Sequence, residues 1–181
     1  MKNKKRILVI GGTGFIGYHL LKQCLKLNWD TTSLSTKKPK NKRRLFKVKY
    51  IICDLSNKNL LIKKLNKNYD YVVNLGGHID HFNKEKTYKS HFVGVKNLAN
   101  FFLKKNIDSF IQIGSSAEYG NIKSPHLENA KCNPKLIYGK SKLKDSDQYV
   151  GYCDYGNSAY GLLYKNNNLH FEIQIDSNHP I

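Results

Sequence analysis

Apolar and polar positions follow two periods along this chain. Ile7-Leu8-Val9-Ile10 is an unbroken apolar run, as expected of a strand buried on both faces. It ends on glycines and opens into FIGYHLLKQCLKLN, whose apolar residues recur at helical spacing. Asp30 to Ser35 (DTTSLS) is short and β-branched and predicts a second strand, followed by an exposed lysine-rich loop, TKKPKNKRR. Val48 to Cys53 predicts a third strand closing on Asp54. Leu60 to Leu65 (LLIKKL) has helical spacing, and Tyr71 to Leu75 (YVVNL) reads as a buried strand before Gly76-Gly77. From Tyr88 to Lys105, Phe92, Val95, Leu98, Ala99, Phe102 and Leu103 share one helix face, and Phe110 to Ile113 (FIQI) forms the next strand. Strands alternating with helices through short links imply an α/β domain with a doubly wound parallel sheet, Rossmann-like in order. Its ligand belongs off the carboxyl ends of the strands, where Gly11 to Gly17, Asp54, Asn74 to Gly77 and Gly114 to Ser116 fall.

The glycines between the first strand and helix carry the first chemistry. In GGTGFIG, Gly12, Gly14 and Gly17 fit G-x-G-x-x-G, and Gly11, Gly14 and Gly17 fit G-x-x-G-x-x-G. The sequence leaves that choice open. Either pattern lets the main chain turn sharply and approach a pyrophosphate, which then rests on unpaired N–H groups at the positive end of the helix dipole. Gly11, Gly14, Phe15, Ile16 and Gly17 are therefore the expected phosphate-binding residues.

Composition changes the picture little. At 181 residues the chain has room for one well-buried core. The net charge of +18 suggests a polyanion partner, but the lysines are spread along the whole chain and only Arg6, Arg43 and Arg44 are arginines. Without a recognition motif or basic helix, specific nucleic-acid binding is not expected, while weak salt-sensitive adsorption is. Cys24, Cys53, Cys132 and Cys153 lack metal or disulfide spacing and read as reduced thiols. The basic start MKNKKR precedes only four apolar residues, too few for a signal peptide or membrane span, so a cytoplasmic protein without a membrane partner is expected. His78, Asp80 and His81 could suggest a metal in isolation. They follow a strand on the ligand side, so a polar loop and no metal is the reading taken.

Further along, Ser115-Ser116-Ala117-Glu118-Tyr119-Gly120 follows a strand, and Tyr138 to Lys142 supplies Y-x-x-x-K. Positions i and i+4 share a helix face, so Tyr138 and Lys142 can address one site. With the glycine turn, these motifs from Lys5 to Val150 resemble the extended short-chain dehydrogenase/reductases, particularly the NAD-dependent epimerase/dehydratase branch that acts on nucleotide-linked sugars.

The resemblance implies roles. Tyr138 would be the general acid/base, and Lys142 would stabilise its phenolate and hold the nicotinamide ribose. Ser115 would hydrogen-bond the reacting oxygen, with Ser116 the fallback. Asp54, with Leu55 beside it, would meet the adenine. A free phenol titrates near 10, so base chemistry at neutral pH demands about 4 kcal/mol of differential stabilisation. The resemblance also implies an NAD or NADP cofactor, a nucleotide-sugar substrate and a homodimer through the tyrosine helix. Two positions depart from the family. Ser35, followed by Lys37 and Lys38, stands where an acidic residue often holds the adenosine ribose, and lysines there suit a 2′-phosphate, which favours NADP. His91 stands where relatives usually carry asparagine. Glu128 and Pro134 resemble the family's approach to the tyrosine.

The second half of such enzymes, which grips the sugar nucleotide, has no counterpart here. The expectation is a truncated domain over residues 1–149 without the C-terminal substrate domain, binding cofactor but incomplete for turnover. Residues 150–181 read as a foreign or divergent tail, and GLLYKNNNLHFEIQIDSNHPI is similar to an internal segment of malate synthase G. Leu169, Phe171, Ile173 and Ile175 alternate with polar residues, predicting an edge strand, and poor packing or disorder is expected from Gly151 to Asn168. Two rival readings are a noncatalytic NADP-binding module and an adventitious polyanion binder.

Overall fold

The computed structural model describes residues 4–78, 82–122, 130–149 and 161–164. Strand β1 (Arg6–Ile10) leads through the glycine turn into α1 (Phe15–Lys26), then β2 (Asp30–Ser35). A short 3-10 turn at Asn41–Arg43 precedes β3 (Lys49–Ile52), α2 (Lys58–Lys64) and β4 (Tyr71–Asn74). Next, α3 (Lys84–Tyr88) passes through a π turn (Lys89–Val93) into α4 (Gly94–Phe102). After β5 (Ser109–Ile113) come a 3-10 turn at Ser116–Glu118, α5 (Ile137–Tyr149) and β6 (Gly161–Tyr164).

The strands lie in the order β3-β2-β1-β4-β5-β6, and β1 to β5 are parallel. This is the expected doubly wound sheet. The order reverses between β1 and β4, and that crevice is where such sheets bind ligands. The apolar run of β1 explains why it is central: Ile7 and Val9 join Leu21 and Cys24 of α1 in one core, while Leu8 and Ile10 join Leu61, Leu98 and Phe102 of α2 and α4 in the other. Burying each such side chain contributes about 1.5–3 kcal/mol. Helix α5 packs on the α3 and α4 side.

Two local expectations are revised. The helix predicted from Tyr88 begins earlier, because Asn83 caps α3 by accepting the Lys86 N–H at 3.0 Å. Within the stretch expected to pack poorly, Gly161–Tyr164 pairs antiparallel with β5, Ile113 beside Gly161 and Phe110 beside Tyr164. The open N–H and C=O row of an edge strand favours such an addition. The alternating segment 169–176 lies outside the described residues. Among the described residues no helix is long and apolar enough to cross a membrane.

Candidate active site

The glycine turn of the candidate site is built from backbone. Gly11 has φ 76°, and its N–H donates to Leu34 O at 2.8 Å, which anchors the turn to β2. A Cβ at Gly11 would stand 2.9 Å from the Leu75 carbonyl carbon, so the turn lies directly against the chain leaving β4. A Cβ at Gly12 would run into Ser33, and one at Gly17 into the carbonyl oxygen of Gly11. Both readings of the motif are therefore satisfied at once: Gly11 turns, Gly12 and Gly17 admit close packing, and Gly14 is the N-cap of α1. That cap has no side-chain hydrogen bond, and the first turn carries no acidic residue. The positive end of α1 is thus left for an anion, and the cradle fits a pyrophosphate. Phe15 and Ile16 lie about two-thirds exposed beside it, at 68% and 66%.

Beside this turn, Ser35 is buried at the end of β2, and its hydroxyl accepts the Thr13 N–H at 3.4 Å. Lys37 and Lys38 follow, exposed. The Arg43 guanidinium stands over the Phe15 ring, 5.8 Å from its centroid. Sequence reasoning did not single out Arg43, although the basic run after β2 contains it. Asp54 is exposed beyond β3, where its carboxylate accepts the Ser56 N–H at 2.9 Å. Leu55 is wedged under Gly94, and its carbonyl accepts from Asn97 of α4 at 2.9 Å, which holds this loop in place. Burial, with the adjacent Asp54 charge, pushes the Cys53 thiol above its ordinary range, so it stays protonated and inert.

Another part of the candidate site is assembled by α5 and the end of β5. Ser115 caps the 3-10 turn: its Oγ accepts the Ala117 N–H at 3.2 Å, while its own N–H donates to the buried Glu118 carboxylate at 2.7 Å. Gly139 of α5 lies so close to this turn that a Cβ would meet the carbonyl oxygen of Ala117. Lys142 is buried, and its ammonium donates to Ile113 O at 2.6 Å, two residues before Ser115. The Tyr138 ring meets His91 edge-to-face at 4.9 Å and 80°. His91 in turn grips the His78 backbone through Nε2, 3.1 Å from both its N and its O, and occupies the space where Gly77 would carry a Cβ. Contacts thus run without interruption from the glycine turn to Leu75 and Gly76, then through Gly77 and His91 to Tyr138. Asp80, His81 and Glu128 lie outside the described residues.

This arrangement has relatives. The sequence profile of the NAD dependent epimerase/dehydratase family matches residues 7–167. The chain belongs to this family. The match passes the boundary at 150 expected from the sequence and includes β6. A Methanocaldococcus jannaschii protein named "Putative UDP-glucose 4-epimerase" is 30% identical over 87% of this chain and 53% of its own length. The UDP-Glc/GlcNAc 4-epimerase of Campylobacter jejuni superimposes with a TM-score of 0.71 at 27% identity, covering 79% of this chain and 47% of that one. The Bordetella bronchiseptica enzyme WbmG, solved in complex with NAD, gives 0.73 at 18% identity, over 81% and 49%. The chain spans about half the length of these relatives. The likeness to malate synthase G is narrower: 65 residues at 34% identity to the Corynebacterium efficiens protein, 36% of this chain and 9% of that enzyme.

Proposed function

We propose that this chain is the dinucleotide-binding part of a nucleotide-sugar epimerase/dehydratase, using Ser115, Tyr138 and Lys142 at a sugar hydroxyl. The observation that carries the reading is the unbroken wall from the glycine turn to Tyr138, because hydride transfer needs the diphosphate grip and the acid/base on one surface. When bound, the nicotinamide supplies the hydride acceptor. The protein's part is position and proton movement. Gly11 and Gly14 shape the turn, their own N–H groups bonded to Leu34 O and Gly11 O, while Phe15, Ile16 and Gly17 in the first turn of α1 present N–H groups to the diphosphate, and Asp54 with Leu55 borders the adenine. The Ser115 hydroxyl already accepts from Ala117 and keeps its own proton to donate to a substrate oxygen. Tyr138 takes the sugar hydroxyl proton, and the Lys142 ammonium stabilises the phenolate and holds the ribose.

NADP is the cofactor this site favours. No carboxylate ends β2, Lys37 and Lys38 follow it exposed, and the Arg43 guanidinium stands over Phe15 at the start of α1, charges that suit a 2′-phosphate. A cytoplasmic location and a homodimer through α5 belong to the same reading.

Titration of reduced-nicotinamide fluorescence tests the proposal. Gly14→Asp is the informative variant: Gly14 has ordinary extended backbone, and an aspartate N-cap favours the helix while its charge opposes a diphosphate. Saturable NADPH binding that disappears in Gly14→Asp, with the melting temperature kept, is the expected result. Ser35→Asp with Lys37→Ala is expected to reverse the preference toward NADH. Turnover of UDP-sugars followed at the reduced-nicotinamide absorbance band then tests chemistry, and a Tyr138→Phe variant with unchanged turnover removes that assignment. Only salt-dependent RNA adsorption, without nucleotide binding, would sink the whole reading.

A further inference from the structure

His91 is the third residue of the π turn between α3 and α4 and is 4% exposed. Such turns insert one residue into a helix and recur at functional sites. Its imidazole faces two separate elements. On one side Nε2 lies 3.1 Å from both the backbone N and the carbonyl O of His78, accepting from the one or donating to the other according to its tautomer, and the Cε1 edge fills the space beside Gly77. On the other side the ring meets the face or edge of Tyr138 at 4.9 Å. A side chain that only fills space needs neither a polar grip on a loop backbone nor an aromatic contact of fixed geometry. Here the loop after β4, which borders the glycine turn, and the phenol on α5 are joined through one rigid ring.

We propose that His91 is a positioning residue that transmits the position of the Gly77–His78 loop to the Tyr138 ring. Its functional meaning rests on Tyr138 being the acid/base, as proposed above. Movement of the loop, including that caused by a dinucleotide settling against it, displaces the imidazole, and the phenol follows. Interiors pack too tightly for the ring to shift without moving what it touches.

The coupling is measurable without turnover. In protein labelled with 13C-tyrosine, the Tyr138 ring signal is the one missing from Tyr138→Phe. Gly77→Ala pushes a methyl group against His91 Cε1. The expected result is that Gly77→Ala shifts the Tyr138 signal when His91 is present. In a His91→Ala background, adding Gly77→Ala leaves Tyr138 where His91→Ala alone puts it. His91→Asn serves as the second background where His91→Ala does not fold. Equal shifts in both backgrounds, or no shift with His91 present, overturn the proposal. Truncating a mere filler lowers the melting temperature but does not abolish the effect of Gly77→Ala. A Tyr138→Phe variant that keeps full turnover, with the coupling intact, removes the catalytic reading and leaves this one standing.

Discussion

At the scale of single residues, the glycine turn separates positions that the motif writes alike. A Cβ at Gly14 would stand 3.2 Å from Gly11 O, close enough that the neighbour must give by a few tenths of an ångström. At Gly17 the conflict is larger, because a Cβ there would run into the carbonyl oxygen of Gly11 and stand 2.6 Å from the Cα of Gly12. Gly17→Ala is therefore expected to destabilise the fold by about 1–3 kcal/mol through overpacking, read as a lower urea midpoint with an unchanged slope. A fully retained midpoint would show that the turn relaxes at no cost. The motif announced a turn near a pyrophosphate. It could not say which glycine turns and which one packs, because that depends on how closely α1 returns to β1. The same holds for Ser35. Its place at the end of β2 was legible, whereas its bond to Thr13 depends on two segments of different strands meeting.

At the scale of elements, periodicity located β1, β2, β4, β5 and α1 well, since strands buried on both faces and amphipathic helices write their environment into the sequence. Caps were less visible. Asn57 accepts the Leu60 N–H at 3.0 Å and closes the first turn of α2, a helix of seven residues whose only buried residue is Leu61. Asn57→Ala is expected to cost about 1 kcal/mol, measurable as a lower melting temperature, with Asn57→Asp restoring it. The π turn was not legible at all. Tyr88 to Lys105 reads as one uninterrupted amphipathic helix, whereas the turn at Lys89–Val93 widens where it packs against α5. His91, in the middle of that turn, meets Gly77 and Tyr138, neighbours the sequence could not name.

At the scale of the whole molecule, the end of the sheet opposite the site is stapled by charge. Arg6, opening β1, pairs with Asp70 just before β4, its Nε donating to Oδ2 at 3.1 Å and its backbone N–H to the same oxygen at 2.7 Å. Asp70 O also receives the Asp108 N–H at 2.7 Å, tying in β5. The hydrogen bond from Arg6 holds the Asp70 carboxyl below its ordinary range. A carboxyl whose folded pKa is depressed contributes stability above its unfolded value, about 3.9, and that contribution is lost as pH falls through the folded value. Asp70→Asn should therefore lower the melting temperature at pH 7, and the gap to the parent should narrow as pH drops below about 4. A gap independent of pH would show that Asp70 acts through its backbone alone.

By itself, the sequence determined the repeating strand and helix, the glycine turn between β1 and α1, and the Tyr138–Lys142 pair on one helix. These depend on residues a few positions apart, whose spacing fixes their face and conformation. Tertiary structure alone decided that Arg43 stands over Phe15, that β6 runs antiparallel on the β5 edge, and that His91 bridges Gly77 and Tyr138. Those contacts join segments tens of residues apart. They are set by how the crossovers lay helices on the sheet, which no local pattern encodes.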